Sequence, residues 1–166
     1  MSLQYEIATI KDLPRVVEIY NSTIASRMVT ADTEPVTVSD RMSWFEAHHP
    51  DKRPLWMVKD TAQNVIGWVS FQSFYGRPAY NATVEVSIYL APESRGKGYG
   101  KMILQHCLEV APQYEIKTLL AFIFAHNVPS IKLFEHFGFT VWGDFPNIAE
   151  LDGIERSLWI LGKRIN

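Results

Sequence analysis

The feature that most restricts what this chain can fold into is a strand that runs into a glycine-rich loop and out again into a helix. Thr83-Val84-Glu85-Val86-Ser87-Ile88-Tyr89-Leu90 alternates apolar and polar side chains. That is the period of a strand with one packed face and one face carrying Glu85 and Ser87. Ala91-Pro92 ends it, Arg95-Gly96-Lys97-Gly98-Tyr99-Gly100 makes the turn, and the spacing predicts a helix from near Tyr99, with Ile103, Leu104, Cys107, Leu108 and Ala111 on its apolar side. Alternate glycines let a backbone turn tightly and lie against a ligand. The first amides of a helix lack intrahelical partners, and its dipole adds partial positive charge there. Together these suit a diphosphate, with Arg95, Lys97 and Lys101 able to add cationic contacts. The spacing is not that of a P-loop, because Met102 follows Gly100-Lys101 and brings no hydroxyl for magnesium. Nor is it G-x-G-x-x-G, since the third glycine comes two positions after the second. A turn that binds nothing is a poor account of three glycines set among three cations.

The remaining elements are shorter statements of the same kind. Residues 5–8 read as a strand, and Asp12 as the cap of a helix with Pro14 in its first turn and Val16, Val17, Ile19 and Tyr20 on its apolar side. Residues 21–36 read as irregular. Thr37 with Asp40 is a capping-box start for a second helix through Trp44 and Phe45. Strands are predicted at Leu55–Lys59, 65–71 and Thr118–Phe124, the last apolar throughout and so buried, with a parallel neighbour in view. Pro129 opens a helix that stops at Gly138. Short strands follow at 139–142 and 156–161, with Asp152-Gly153 as the turn ahead of the last. The sum is an α+β domain spanning 1–166, a mixed sheet with helices on its faces.

Composition narrows the partners. A net charge of −2 argues against nucleic acid or an anionic membrane surface as the main partner. No long apolar run and no leader-like N-terminal stretch occurs, and the single Cys107 excludes an internal disulfide, so the chain reads as cytoplasmic. Cys107 sits on the apolar stripe of its helix and reads as core, not nucleophile. His48, His49, His106, His126 and His136 show no metal-ligand spacing, and no metal is expected.

On the loop Arg95-Gly96-Lys97-Gly98-Tyr99-Gly100, on Asn127-Val128-Pro129-Ser130 and on Leu133-Phe134-Glu135-His136-Phe137-Gly138-Phe139, the chain resembles the GNAT superfamily of acetyl-CoA-dependent N-acetyltransferases. Arg77-Pro78-Ala79-Tyr80 followed by Thr83-Val84-Glu85-Val86-Ser87-Ile88-Tyr89 is similar to the phosphinothricin acetyltransferase-like branch. The resemblance implies the GNAT fold, an α/β three-layer arrangement with a mostly antiparallel mixed sheet flanked by about four helices. It implies acetyl-CoA as co-substrate and a small amino-acid-like amine as acceptor, such as phosphinothricin, methionine sulfoximine or methionine sulfone. A peptide N-terminal acetyltransferase and a non-catalytic acetyl-CoA-binding module stand as alternatives on the same fold. It also implies a homodimer.

For individual residues, the resemblance implies that the main chain of Ile88, Tyr89 and Leu90 pairs with the pantetheine arm and that amides of residues 96–101 hold the diphosphate. Asn127, with Ser130, is placed at the cofactor, and a helix N-cap is an equal reading of Asn127. Glu85 is the implied base, to take a proton from the amine directly or through water; from the residues alone, a charge on a solvated strand face accounts for it as well. An amide of Tyr89 or Leu90 is the implied oxyanion donor. Phe134 stands where the branch has His and many members Tyr, so the implied proton donor to the leaving thiolate is missing. Arg77 is an implied partner for the acceptor's anionic end, and Phe74, Tyr75 and Tyr80 implied pocket walls; a surface loop for Arg77 and a dimer contact for Tyr80 remain open. Arg27 is a further pocket candidate.

Overall fold

The structure, a computed structural model, describes residues 2–165. Seven strands form one sheet: β1 (Gln4–Ile7), β2 (Leu55–Lys59), β3 (Val65–Ser73), β4 (Thr83–Leu90), β5 (Thr118–Phe124), β6 (Thr140–Leu151) and β7 (Ile154–Arg164), in the order β1-β2-β3-β4-β5-β7-β6. Every pairing is antiparallel except β4 with β5. Four helices flank it: α1 (Leu13–Asn21), α2 (Met42–Glu46), α3 (Tyr99–Val110) and α4 (Val128–His136). The expected three-layer α/β arrangement is the one observed.

Each face has its own core. Leu13, Val16, Val17, Ile19 and Tyr20 pack with Met57 and Trp68 on the α1/α2 face. Ile103, Leu104, Cys107, Ile131 and Phe134 pack with Val69, Phe71, Val84 and Val86 on the other. A fully buried side chain of this kind contributes about 1.5–3 kcal/mol of transfer free energy. The Trp68 indole N–H, buried among apolar groups, donates to the Val16 carbonyl at 3.1 Å, so α1 is tied to β3 by more than contact area.

Three expectations are corrected. Asp12 does not cap α1 with its side chain; it closes a capping box with Thr9, whose amide donates to Asp12 Oδ2 at 2.8 Å, around a short 3-10 turn that precedes the helix. The strands read as 139–142 and 156–161 are instead a long hairpin. β6 hides its period because Gly143, Pro146 and Asn147 interrupt it, and its pairing slips at 141/143 and again at 145/149. Proline is tolerated there because β6 is an edge strand and the residue falls at a bulge. Finally, the Glu85 face of β4 is not open to solvent, since α1 and α2 lie over it and Glu85 is half-buried.

Candidate active site

β4 and β5 pair only at Thr83, Val84 and Glu85 against Thr118, Leu119 and Leu120. Beyond that point each strand follows its antiparallel partner, β4 along β3 to Leu90 and β5 along β7 to Phe124. The two halves of the sheet therefore part. The last five residues of β4 keep one edge without a strand neighbour, and a cleft of about 380 Å³ opens there. Unpaired strand edges are where an extended ligand can add main-chain hydrogen bonds.

The glycine loop closes one end of this cleft. Gly98 is the N-cap of α3 with φ +84°, and Gly96 has φ +74°. Both are conformations that glycine adopts without strain, and a Cβ at either would meet no atom within 4 Å. The space over the loop is thus open for a ligand to approach the backbone. Gly100 does a different job: a Cβ there would come within 3.2 Å of Leu133, so its absence lets α3 pack on α4. Lys97 and Lys101 are exposed beside the loop, whereas Tyr99 packs its ring against the core.

Of the other expected cofactor residues, Ile88, Tyr89, Leu90, Arg95, Gly100, Asn127 and Ser130 line the cleft. Arg95 is not the free cation anticipated. Its Nε and Nη2 both donate to the Leu90 carbonyl at 3.2 Å, and Nη2 also donates to Ser22 Oγ at 2.8 Å. The guanidinium fastens the loop to the end of β4 and occupies the Leu90 carbonyl. Asn127 fills its capping role: Oδ1 accepts from the Ser130 amide at 3.4 Å, and Nδ2 donates to the Met28 carbonyl at 3.2 Å. Beside it the His126 ring bonds the Arg27 carbonyl through Nε2 at 2.8 Å. These contacts hold the segment after α1 over the cleft, where Thr23, Ser26 and Val29 form a wall that sequence reading did not find. Arg27 itself turns away, pairing with Asp152 at 2.9 Å in the β6–β7 turn.

A second cavity of about 150 Å³ lies on the α1/α2 face, walled by Val16, Val17, Tyr20, Trp44, Trp68 and Tyr89 with Arg41, Gln72, Glu85 and Ser87 among them. The two cavities share Glu85, Ser87 and Tyr89. Burial raises the Glu85 carboxyl above its ordinary range, because little water reaches the charge. Tyr89 stacks on Trp68 with ring centres 4.5 Å apart, and its hydroxyl is pushed far up, first by burial and then by the Tyr20 and Glu85 charges. Phe134 is buried in the cleft, edge-on to Phe139 at 5.0 Å.

The expected acceptor residues fall elsewhere. Phe74, Tyr75, Arg77 and Tyr80 line neither cavity. β3 ends at Ser73, and Tyr75 (φ +58°) and Gly76 (φ +65°) carry the chain outward. The three rings then cluster with one another at the surface, Tyr75 being 76% exposed. The residues that do wall the second cavity, Tyr20, Arg41, Trp44 and Gln72, were not singled out as site residues from sequence. One signal pointed to two of them: Arg41 and Trp44 are three apart, which puts them on one face of a helical turn.

Among the described residues no helix is long and apolar enough to cross a membrane, and no group of three or more His, Cys, Asp or Glu is placed to hold a metal. The model of the acetyltransferase (GNAT) family matches residues 16–139. YwnH of Bacillus subtilis (strain 168), provisionally named a phosphinothricin acetyltransferase, is 58% identical over 160 residues, covering 96% of this chain and 98% of its own. The L-methionine sulfoximine/L-methionine sulfone acetyltransferase of Pseudomonas paraeruginosa is 30% identical over 153 residues, 92% of this chain and 89% of that protein. The solved phosphinothricin acetyltransferase of Sinorhizobium meliloti, in complex with acetyl-CoA, superposes with a TM-score of 0.90 at 26% identity, covering 99% of this chain and 89% of that one.

Proposed function

The chain belongs to the acetyltransferase (GNAT) family, and from that membership we propose that it moves the acetyl group of acetyl-CoA to the free amine of a small amino-acid-like acceptor of the phosphinothricin, methionine sulfoximine or methionine sulfone type. The observation that carries this reading is the place of Glu85, which lines the open-edged cleft and the aromatic cavity at once. A base that faces both can meet an amine from one side and a thioester from the other.

Acetyl-CoA suits the cleft for two reasons: an unpaired β4 edge for an amide-bearing arm, and open backbone at Gly96 and Gly98 ahead of the α3 amides for a diphosphate. In this reading the main chain of Ile88 and the amide of Leu90, which face the open edge, pair with the pantetheine, Tyr89 turns its main-chain groups to β3, and Asn127 and Ser130 border the arm. Glu85 takes a proton from the ammonium, directly or through water. The nitrogen lone pair then attacks the thioester carbonyl. The C–N bond forms, charge gathers on the carbonyl oxygen, and the amide of Leu90, which faces the open edge, stabilises it. The C–S bond breaks, its electron pair leaves on sulfur, and the nitrogen, cationic after its attack, releases its second proton to water to give the neutral amide. Phe134 offers no proton, and a thiolate whose thiol has a pKa of about 8.5 leaves without one. The exposed Tyr75 and Tyr80 rings, with the half-buried Phe74 between them, support a homodimer, and dependence on acetyl-CoA supports a cytoplasmic site of action.

Thiol release from acetyl-CoA over a panel of methionine sulfoximine, methionine sulfone, phosphinothricin, aminoglycosides and short peptides tests the reading. Turnover is expected with the first three and not with peptides. Peptide-only turnover contradicts the acceptor class, and tight acetyl-CoA binding without turnover on any amine contradicts catalysis. Light scattering is expected to return twice the mass of one chain.

A further inference from the structure

The aromatic cavity holds one cation and one anion among its lining residues, Arg41 and Glu85. The sequence marked the second and passed over the first. Arg41 is held in a defined pose. Its guanidinium lies 4.3 Å above the Tyr20 ring and 6.0 Å from the Trp44 ring, and Nη2 donates to Asp32 Oδ2 at 2.9 Å. Asp32 is fixed in turn by the Tyr20 hydroxyl, which also meets Thr30 Oγ1. Stacking on aromatic faces and a single carboxylate contact leave the fork in one orientation.

A structural ion pair does not account for all of this. Asp32 engages one nitrogen, and among the described residues Nε and Nη1 of Arg41 have no hydrogen-bond partner, although the side chain is only a quarter exposed. Guanidinium presents five N–H donors, and its planar edge matches two carboxylate oxygens at once. Neither nitrogen is among the fully buried unpaired atoms of the described residues, so both remain within reach of an acceptor that enters the cavity. The Tyr89 hydroxyl ties the two charges together in space, because it feels the Glu85 charge, which raises its pKa, and the Arg41 charge, which lowers it.

We propose that Arg41 is a specificity-determining residue that receives the carboxylate of the acceptor, so that the cavity selects amino acids over plain amines. This rests on the acceptor reading above and says which acceptor group is read and by what. Glu85 deals with the amine and Arg41 with the acid group. A polyamine or aminoglycoside entering the same cavity would bring positive charge against Arg41 with nothing to offer its free donors, which is discrimination by repulsion as well as by fit. Arg77, exposed on its loop, is not needed for this contact.

The test compares methionine sulfoximine with its carboxamide, which keeps the amine and the side chain and removes the anionic group. A charge-assisted bidentate contact is worth a kcat/KM ratio on the order of 30-fold. Wild type is therefore expected to prefer the carboxylate by about that factor. Arg41→Gln should lose about 30-fold on methionine sulfoximine, mainly through KM, and less than about 3-fold on the carboxamide, with KM for acetyl-CoA within about 2-fold. Arg41→Lys, which keeps the charge and serves if the glutamine variant does not fold, should recover part of the loss on the carboxylate alone. Equal losses on both acceptors would make Arg41 a packing residue and overturn the proposal, as would a wild type that takes both acceptors equally well. A wild type that turns over neither overturns the acceptor reading itself, and the Arg41 assignment with it.

Discussion

The cleft between β4 and β5 and the cavity under α1 and α2 meet at Glu85, yet they are built from different material. The cleft is main chain: a strand edge left open where two halves of a sheet part, glycines at positive φ, and the first amides of a helix. The cavity is side chain: two tryptophans, two tyrosines and an arginine brought together from α1, the turn before α2, α2, β3 and β4. A site made of backbone tolerates change in most side chains around it. One made of side chains can be re-aimed by a single substitution. This is why a cofactor can be constant across a family while acceptors differ.

Glu85→Gln gives the largest expected effect and tests whether the two regions work as one site. Losing the base should lower kcat by about 10²–10⁴-fold, while calorimetry finds acetyl-CoA affinity within about 2-fold. Because burial raises the Glu85 pKa, wild-type rate should fall as pH drops through that raised value and the carboxylate protonates, and the residual rate of the variant should lack that limb. Full rate for the variant across pH would separate Glu85 from the chemistry.

Gly98→Val sharpens the contrast from the cofactor side. A β-branched residue at φ +84° carries about 1–2 kcal/mol of strain. Acetyl-CoA affinity should fall roughly 10-fold, with KM for the acceptor much less affected; an equal loss on both sides would deny that the regions are separable. Asn127→Ala removes the α4 cap and the hold on Met28. It should cost about 1 kcal/mol, a melting temperature lower by about 2–4 °C.

The smallest effect concerns stability. The folded pKa of Glu85 lies above its unfolded value, so the protonated form is favoured by the fold. That contribution is complete below the ordinary glutamate value of 4.5 and is lost as pH rises through the folded value. Ionised Glu85 therefore destabilises the protein at neutral pH. Glu85→Gln should melt slightly higher than wild type there, by less than about 2 °C, and the gap should close at pH below 4.5.

The same division explains what could be read from the residues. Gly96, Gly98 and the helix after them were legible because glycine spacing and helix capping are local in sequence, and the backbone they shape is the site. Gly138 ended α4 as read, and Asp152 and Gly153, both at positive φ, turned the last hairpin. The cavity was not legible because Tyr20, Arg41, Trp44 and Gln72 converge only after α1 and α2 fold over β3 and β4; the Arg41–Trp44 spacing puts two of them on one helical face but does not say what that face covers. Phe74, Tyr75 and Tyr80 show the converse: near neighbours in sequence, they gather with one another on the outside of the single chain and line neither cavity. β6 escaped because its two bulges destroy the alternation by which a strand is recognised.

In the proposed function acetyl-CoA lies on main chain, along the open edge of β4 and over the glycine loop. Titrating isotope-labelled protein with acetyl-CoA and following every backbone amide by NMR tests it most directly. Saturable shifts are expected at residues 87–90 and 96–101, with the amides of β1 and β2 still. Shifts absent at any concentration, or gathered on α2 and the 74–80 loop, would contradict it.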